Sequence, residues 1–247
     1  MAHNYCISRR WIHLALCLVL AAGWLAARPV PAAQATGYNL YVDEEVDYYS
    51  EPGGEYAKCE GTDYSGIPDC SLRGAITLAN SDPNNRYTIY LKSGETYTLT
   101  RVGAGEDNNS TGDLDITTNL TIFGTGATLN ANGIDRVIDF NAPAPGLGET
   151  SALIWGLTIT GGHAPDGVDG AATLEEKRGE GGGGIRIKSG NLRLNSVTVA
   201  DNQSGAGGKG RDGREGLGGT GEYGESGGMG GLGGGIYVQT GGVLRTD

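Results

Sequence analysis

The sequence is poor in the residues that build most catalytic and metal sites. It has three histidines and four cysteines among 247 residues. Only His163, Cys59 and Cys70 follow residue 35. Structural zinc sites gather four such ligands, so Cys59 and Cys70 have too few partners to complete one. A Ser-His-Asp triad would have to use His163, which lies in a glycine-rich insertion where a base is poorly held.

The chain also lacks an apolar run long enough to span a bilayer. The longest run, 14–27, is interrupted at Gly23 and is shorter than the roughly 20 residues that a spanning helix needs. Arg9 and Arg10 precede it, and small residues ending in A-Q-A at 33–35 follow it. This order is typical of a cleaved secretory signal. We therefore predict a signal peptide at 1–35, an extracellular or cell-surface location, and a mature part that does not span a membrane.

Basic residues are scarce. There are 18 Lys and Arg against 29 Asp and Glu, which gives a formal net charge of −11. Three of the arginines lie in the predicted signal, so the mature chain is more acidic still. Such a surface repels nucleic acid and anionic lipid. We therefore expect no nucleic-acid partner, and instead an extracellular polysaccharide or a cell-surface partner, with calcium needed as a bridge if the polysaccharide is acidic.

Proline is missing where glycine is most abundant. The chain has 46 glycines, and many lie in two insertions at 162–181 and 203–232. In the second, glycine recurs every third residue as in collagen, but no proline stiffens the tract, which favours a loosely ordered loop. Neither insertion contains Gly-Lys-Ser/Thr, so a phosphate loop is excluded. The G-x-S-x-G match at 224–228 lacks the flanking strand and helix of a nucleophile elbow, and we interpret it as chance.

What the sequence does contain is short strands in an internal repeat. Residues 182–190 and 233–241 both read G-G-G-I-x-[IV]-x-[ST]-G. A second set of alternating segments occurs at 120–124, 157–161 and 197–202. Each unit is too small to bury its own apolar face, so stacked units must share one core. The repeats predict an all-β fold, a right-handed parallel β-helix (solenoid) over 88–247. Because residues 242–247 begin another half-repeat, we expect the C-terminus to be truncated relative to a longer protein.

An N-terminal cap is predicted at 36–87. Leu72, Ala75, Ile76 and Ala79 recur at helical spacing, which predicts a helix over 71–80. Cysteines outside the cytoplasm usually oxidise in pairs, so Cys59 and Cys70 are predicted to form a disulfide. Tyrosines cluster in the same region, where they could stack on sugars but are expected to cover the first coil: Tyr38, Tyr41, Tyr48, Tyr49, Tyr56 and Tyr64.

The run C-S-L-R-G-A-I at 70–76, followed by Ala79 and Asn80, resembles the N-terminal signature of bacterial CSLREA-domain proteins. Segments 112–117, 120–122 and 133–137 are similar to the continuation of that family, so the resemblance covers about 38–140. The later glycine repeats are similar to those of polymorphic outer-membrane proteins and other surface β-helices. The resemblance implies a right-handed parallel β-helix outside the cell or on its surface, and it implies no reaction.

The chain departs from the family at Gly74, where the family has glutamate. With Ser71 as the helix N-cap, that glutamate would complete a capping box. Gly74 removes it and costs about 1 kcal/mol relative to alanine. We therefore predict that the helix start depends on the Cys59–Cys70 bridge, and that reduction loosens this cap first. Unchanged proteolysis of the reduced protein would contradict this.

Carboxylates are the remaining candidates for chemistry. Glu106 and Asp107, with Asn108 and Asn109 after them, and Asp113 with Asp115 offer the oxygen ligands that calcium prefers. We interpret them instead as a polar loop, with Asp113 in a turn and Asp115 on the outer face of a strand.

Asp135 and Arg136 are interpreted as an ordinary surface ion pair. A glycosidase needs two facing carboxylates, and the sequence singles out no such pair. We therefore assign no catalytic residue, no metal ligands and no cofactor.

The sequence thus predicts a secreted or cell-surface structural module of adhesion type rather than an enzyme. The alternative is a carbohydrate-active β-helix, either a polysaccharide lyase or a hydrolase, with its active face partly beyond Asp247.

Overall fold

The computed structural model describes residues 37–59, 64, 69–143, 151–213 and 223–247. The predicted signal peptide at 1–35 lies outside the described residues. The described part is mostly β with a single helix, as the sequence predicted. The elements are β1 (Gly37–Val42), α1 (Leu72–Ser81), β2 (Arg86–Leu91), β3 (Thr96–Thr98), β4 (Leu114–Ile116), β5 (Leu120–Asn130), β6 (Ile138–Asn141), β7 (Ala152–Thr160), β8 (Ile185–Asn195), β9 (Thr198–Val199), β10 (Ile236–Val238) and β11 (Gly242–Thr246).

All pairs between these strands are parallel and fall into three ladders. The first ladder runs through β1, β2, the first halves of β5 and β7, the second half of β8, and β11. The second joins β3, the second halves of β5 and β7, and β9. The third joins β4, β6, the first half of β8, and β10. Because the long strands each belong to two ladders, the parallel sheet curls around a common core, as in a solenoid-like all-β fold.

Glycines lie where the long strands pass from one ladder to the next. In β5 the pairing register shifts between Phe123 and Ala127. Gly126 within that bend has φ +90°, and Gly190 at the bend of β8 has φ +83°. Residues with a side chain rarely adopt such positive φ values, whereas glycine adopts them without a steric penalty.

Apolar side chains from successive strands stack inside the curled sheet. Ile122 pairs with Ile154, which pairs with Leu194, in the first ladder. Ile116, Phe140 and Ile187 form the equivalent column of the third ladder, and all three are fully buried. Each buried side chain of this size stabilises the fold by about 1.5–3 kcal/mol relative to exposure.

The G-G-G-I repeat forms the predicted pairs. Ile185 of β8 lies beside Ile236 of β10. Further along, Gly190 pairs with Gly242, the first residue of the predicted half-repeat at 242–247, so the second half of the repeat is offset by one residue from the first. The additional residue falls in the turn at 239–241, between β10 and β11.

The second predicted set of repeats is only partly correct. Thr158 and Ile159 pair with Thr198 and Val199, as expected for the 157–161 and 197–202 segments. The 120–124 segment instead pairs with Ala152 to Trp155, in the first ladder. Alternating apolar residues occur on every ladder of the curled sheet, so the pattern alone does not identify the ladder to which a strand belongs.

The helix α1 forms the N-terminal cap close to its predicted position. Ser71 is its N-cap, and the hydroxyl accepts a hydrogen bond from the Gly74 N–H at 2.9 Å. The four residues of the predicted apolar face are all buried, and α1 contacts β1, β2 and β4. The predicted Cys59–Cys70 disulfide is present, and Cys70 directly precedes the N-cap Ser71.

Gly74 has a steric role that the sequence did not indicate. A Cβ at this position would lie 1.8 Å from the carbonyl oxygen of Tyr56. The same carbonyl accepts a hydrogen bond from the Ser71 N–H at 3.1 Å, so it is part of the helix start. Gly74 leaves the helix without the glutamate of a capping box, as predicted. The structure adds a steric reason for glycine, because no side chain fits there unless the Tyr56 backbone moves.

The two glycine-rich insertions leave successive coils at the same corner, between the second and third ladders. Their segments at 162–170, 176–181, 203–211 and 223–233 pack against one another, and we call them the glycine bundle. Hydrogen bonds link the segments, including Gly167 N to Ala206 O (2.8 Å), Gly208 N to Lys177 O (2.7 Å) and Gly231 N to Gly205 O (2.8 Å). The prediction of a loosely ordered loop is therefore wrong for the described part of these insertions.

Glycine is needed in the bundle because neighbouring segments lie too close together for a side chain. Its ability to adopt unusual backbone angles is not the reason at these positions. A Cβ at Gly205 would lie 1.9 Å from Pro165 O, and one at Gly228 would lie 1.8 Å from Lys177 O. An extended helix of the polyproline II type has three residues per turn, so glycine at every third position keeps one side bare. The spacing that resembles collagen therefore serves packing between segments of one chain.

We expect Gly228→Ala to loosen the glycine bundle and Gly230→Ala to leave it intact. At Gly230 the nearest atom to a Cβ would be Gly205 O at 3.6 Å, an ordinary contact, against 1.8 Å at Gly228. Overpacking of this kind costs about 1–3 kcal/mol. Amide hydrogen exchange should show faster exchange across the bundle in Gly228→Ala only. Equal exchange in the two variants would contradict the close packing.

Candidate functional site

Charged side chains collect on the outward positions of the third ladder. Asp115 of β4 pairs with Asp139 of β6, which pairs with Arg186 of β8. They point outward because side chains alternate along a strand and their neighbours fill the core. Together with residues from the adjoining loops they form what we call the charge cluster: Asp107, Asp113, Asp115, Asp135, Asp139, Glu180, Arg136, Arg186 and Lys188.

Most of the charge cluster is buried although it faces outward. Asp115 is on the outer side of its strand, as predicted, but it is only 3 % exposed. The loop before β4 covers it, and the Asn109 N–H donates to the Asp115 carboxylate at 2.8 Å. Arg136 is only 1 % exposed, so the interpretation of Asp135 and Arg136 as a surface ion pair is wrong.

The cations of the cluster each join two acidic groups. Arg136 binds Asp113 through Nη1 at 3.1 Å and Glu180 through Nη2 at 2.6 Å. Arg186 pairs with both Asp139 and Glu180. These bridges connect β4, β6 and β8 to the glycine bundle through Glu180.

The charge cluster contains six carboxyl groups but only three cations, and the pKa values of three of these carboxyl groups are raised. Burial raises the pKa of Asp113 to about 8, and the nearby Asp135 and Asp115 add to the shift. Burial raises the pKa of Asp115 to about 7 and also raises that of Asp135. Burial acts in the same direction on Asp139, but hydrogen bonds from Arg186 and Lys188 outweigh it and hold the Asp139 pKa below its usual value.

We expect the protein to lose stability as the pH rises from about 5 to about 8. An unfolded aspartate has a pKa of about 3.9, so the folded state, with Asp113 near 8 and Asp115 near 7, binds more protons over this interval. Stability then falls with rising pH. Thermal unfolding should show a lower Tm at pH 8 than at pH 5.

Asp113→Asn should flatten this pH dependence, because the amide stays neutral throughout. Asp212→Asn is the control, since Asp212 is exposed in the glycine-rich region. A wild-type Tm that is constant between pH 5 and 8, or an equal effect of the two substitutions, would contradict the expectation.

The carboxylates of Asp107, Asp115 and Asp139 lie close enough to hold a metal ion. Their oxygen atoms lie within 4.8 Å of one another. The Lys188 ammonium, however, lies 2.8 Å from both Asp107 and Asp139. Glu106, another calcium candidate, binds backbone N–H groups of its own loop, including that of Thr111 at 2.8 Å. The Lys188 ammonium therefore supplies the positive charge that a calcium ion would bring to these carboxylates.

Asp115 and Asp139 also have features of a general acid and base. Retaining glycosidases place two carboxyl groups about 5–5.5 Å apart and separate their pKa values. Asp115, with a raised pKa, and Asp139, with a lowered one, show such a difference in pKa, and an oxygen of each lies within 4.8 Å of the other. Both side chains are almost completely buried, however. Two cavities lie beside the cluster in the described part of the chain, but other members of the cluster line them: Asp107 lines one, and Glu180 and Arg186 line the other.

Among the described residues, the other candidates from the sequence do not come together as a catalytic site. His163 Nε2 lies 3.3 Å from Asp166. The G-x-S-x-G segment runs within the glycine bundle, where Glu225 N donates to Arg211 O at 2.8 Å, so it has no strand–helix turn.

The tyrosines stack mainly on one another. The Tyr41 ring stacks on Tyr90 at a centroid distance of 5.0 Å, and Tyr90 stacks on Phe123 at 5.5 Å. Trp155 continues this row on the first ladder. The rings of Tyr41, Tyr90 and Phe123 lie face to face along this row. Phe123 and Trp155 were missed, although they occupy outward positions that alternate with core residues.

A scan against protein-family models, a search of curated proteins and a search of solved structures each find no match for this chain. No helix among the described residues has the length and apolar character to cross a membrane. Conclusions about function therefore rest on the arrangement of the residues themselves.

Proposed function

We propose that this chain is an exported cell-surface module of structural, adhesion type, built as a right-handed parallel β-helix related to the CSLREA-domain proteins. The handedness follows from the strong preference of parallel crossover connections for the right-handed form. The predicted export signal, the excess of acidic residues and the short repeats support the location.

The proposal rests on the ion pairing and burial of the charge cluster. On the third ladder, Arg136, Arg186 and Lys188 engage the cluster's carboxylates, and the loop before β4 covers Asp115. A catalytic pair must be accessible to its substrate, whereas Asp115 and Asp139 are closed off by the chain's own side chains. Neutralised and buried ion networks of this kind serve to hold strands and loops in place.

The network extends through the described part of the molecule. Arg73 of α1 donates to the backbone carbonyl of Asp113, and the Asp113 carboxyl group lies 3.1 Å from Arg136 Nη1. Arg136 then binds Glu180 in the glycine bundle. This connects cap, ladders and bundle, as suits a rigid scaffold that presents loops.

The test is to incubate the secreted protein with neutral and uronic polysaccharides, with and without calcium, and to measure polymer length and retention. We expect no scission of any polymer. Scission that is lost in Asp139→Asn would overturn the structural proposal. Surface location is tested separately by protease treatment of intact cells, and complete protection of the protein would contradict it.

A carbohydrate-active hydrolase is the second candidate, and the Asp115–Asp139 pair is the observation that favours it. It requires the Lys188 side chain or the Asn109 loop to move so that substrate reaches the pair. Scission abolished by both Asp115→Asn and Asp139→Asn, but retained in Asp212→Asn, would establish it.

A further inference from the structure

A cavity of about 490 Å³ lies between the glycine bundle and the third ladder. Its walls come from the first insertion, from β8, and from β10 with the residues beside it. This volume is within the range of about 300–1,000 Å³ that small-molecule sites occupy. The residues that matter for the argument are Glu175, Arg178, Glu180, Arg186, Tyr237 and Gln239.

One wall of the cavity is held rigidly. The Glu180 carboxylate accepts hydrogen bonds from Arg136 and Arg186, and Arg186 also binds Asp139. The Glu180 backbone is fixed on both sides, by Pro165 O at 2.9 Å and by Gly205 N at 2.8 Å. The Glu180 side chain is still 45 % exposed, so a ligand can contact it. A wall fixed in advance lowers the entropy cost of binding.

The other polar groups of the lining are free to bind a ligand. Among the described residues, the side chains of Glu175, Arg178 and Gln239 and the hydroxyl of Tyr237 have no hydrogen-bond or ion-pair partner. Arg and Gln donate hydrogen bonds, Glu accepts them, and the Tyr hydroxyl does both. The cavity therefore offers donors and acceptors together, beside apolar surface from Tyr237 and Leu232.

The charges of the lining select among ligand classes. An anion would meet four carboxylates. A cation would find acceptors, but it would also face Arg178 and Arg186. A neutral polyol matches both kinds of group, because each of its hydroxyls can donate and accept.

We propose that this cavity binds a neutral saccharide, as one or two sugar rings of an extracellular polysaccharide. The inference rests on the proposed surface module and names the partner that it would hold. Glu180 and Arg186 form the fixed part of the site, while Arg178, Gln239 and Tyr237 supply the hydrogen bonds that are made on binding.

The test uses calorimetric titration of the secreted protein with short neutral glucan, mannan and galactan oligosaccharides, and with uronic oligosaccharides of matched length. We expect binding of at least one neutral series. Arg178→Ala and Gln239→Ala should each weaken it by about tenfold, the effect of losing roughly one hydrogen bond. Tyr237→Phe should also weaken binding, because it removes the hydroxyl and keeps the aromatic ring.

Arg245→Ala is the matched control, since Arg245 is an exposed arginine on β11, which belongs to the first ladder. Its affinity should equal that of the wild type. Failure to bind any neutral oligosaccharide, preference for the uronic series, or binding that the three cavity substitutions leave unchanged would each overturn the cavity proposal while the scaffold proposal stands. Scission of polysaccharide would instead overturn the scaffold proposal.

Discussion

Replacement of Arg73 by methionine is expected to destabilise the protein by about 3–5 kcal/mol, the usual cost of removing one partner from a buried ion pair. Arg73 is fully buried at the start of α1, and Nε and Nη2 bind the two carboxylate oxygens of Asp47 at 2.6 and 3.2 Å. The guanidinium also donates to the carbonyls of Gly112 and Asp113, both at 2.8 Å. Methionine would fill much of the volume but leave the Asp47 carboxyl group buried without its cation.

Chemical denaturation of the wild type and the variant measures this effect. Arg193→Met is the control, because Arg193 and Asp247 form an ion pair whose side chains are 45 % and 41 % exposed. Exposed pairs contribute about 0–1 kcal/mol. If Arg73→Met cost no more than Arg193→Met, the helix cap would not depend on this ion pair.

Replacement of Gly74 by alanine is expected to destabilise the protein, against the direction that helix propensity predicts. Alanine favours a helix by about 1 kcal/mol over glycine. The new Cβ would lie 1.8 Å from Tyr56 O, however, and a backbone atom cannot move aside as a flexible side chain can. Overpacking costs about 1–3 kcal/mol, and displacing the hydrogen bond between Ser71 N–H and Tyr56 O adds to it.

The unfolding free energy from urea titration tests this prediction, with Gly37→Ala as the control. A Cβ at Gly37 would have no atom within 4 Å. A stabilised Gly74→Ala would show that propensity governs the helix start. A destabilised one would show that glycine and the Tyr56 segment depend on each other, which gives a physical reason for the departure from the CSLREA pattern.

Several features of this fold could be predicted from local sequence. The helix α1 follows from apolar residues at helical spacing, and Ser71 is the cap expected before them. The pair Cys59–Cys70 follows from the predicted export signal and the even count. Ile185 and Ile236 were aligned because the surrounding repeats are alike. Each of these signals lies within one strand or turn, or in the comparison of two similar segments.

The packing between distant segments was decided only by the tertiary structure. Alternation shows that Asp115 and Asp139 point away from the core, but it does not show that Asn109 and Lys188 cover them. Likewise, glycine at every third residue predicts a bare side on an extended segment, but not which segment will pack there. Sequence periodicity determined the direction of each side chain, whereas burial, charge and available space depend on neighbours that are far away along the chain.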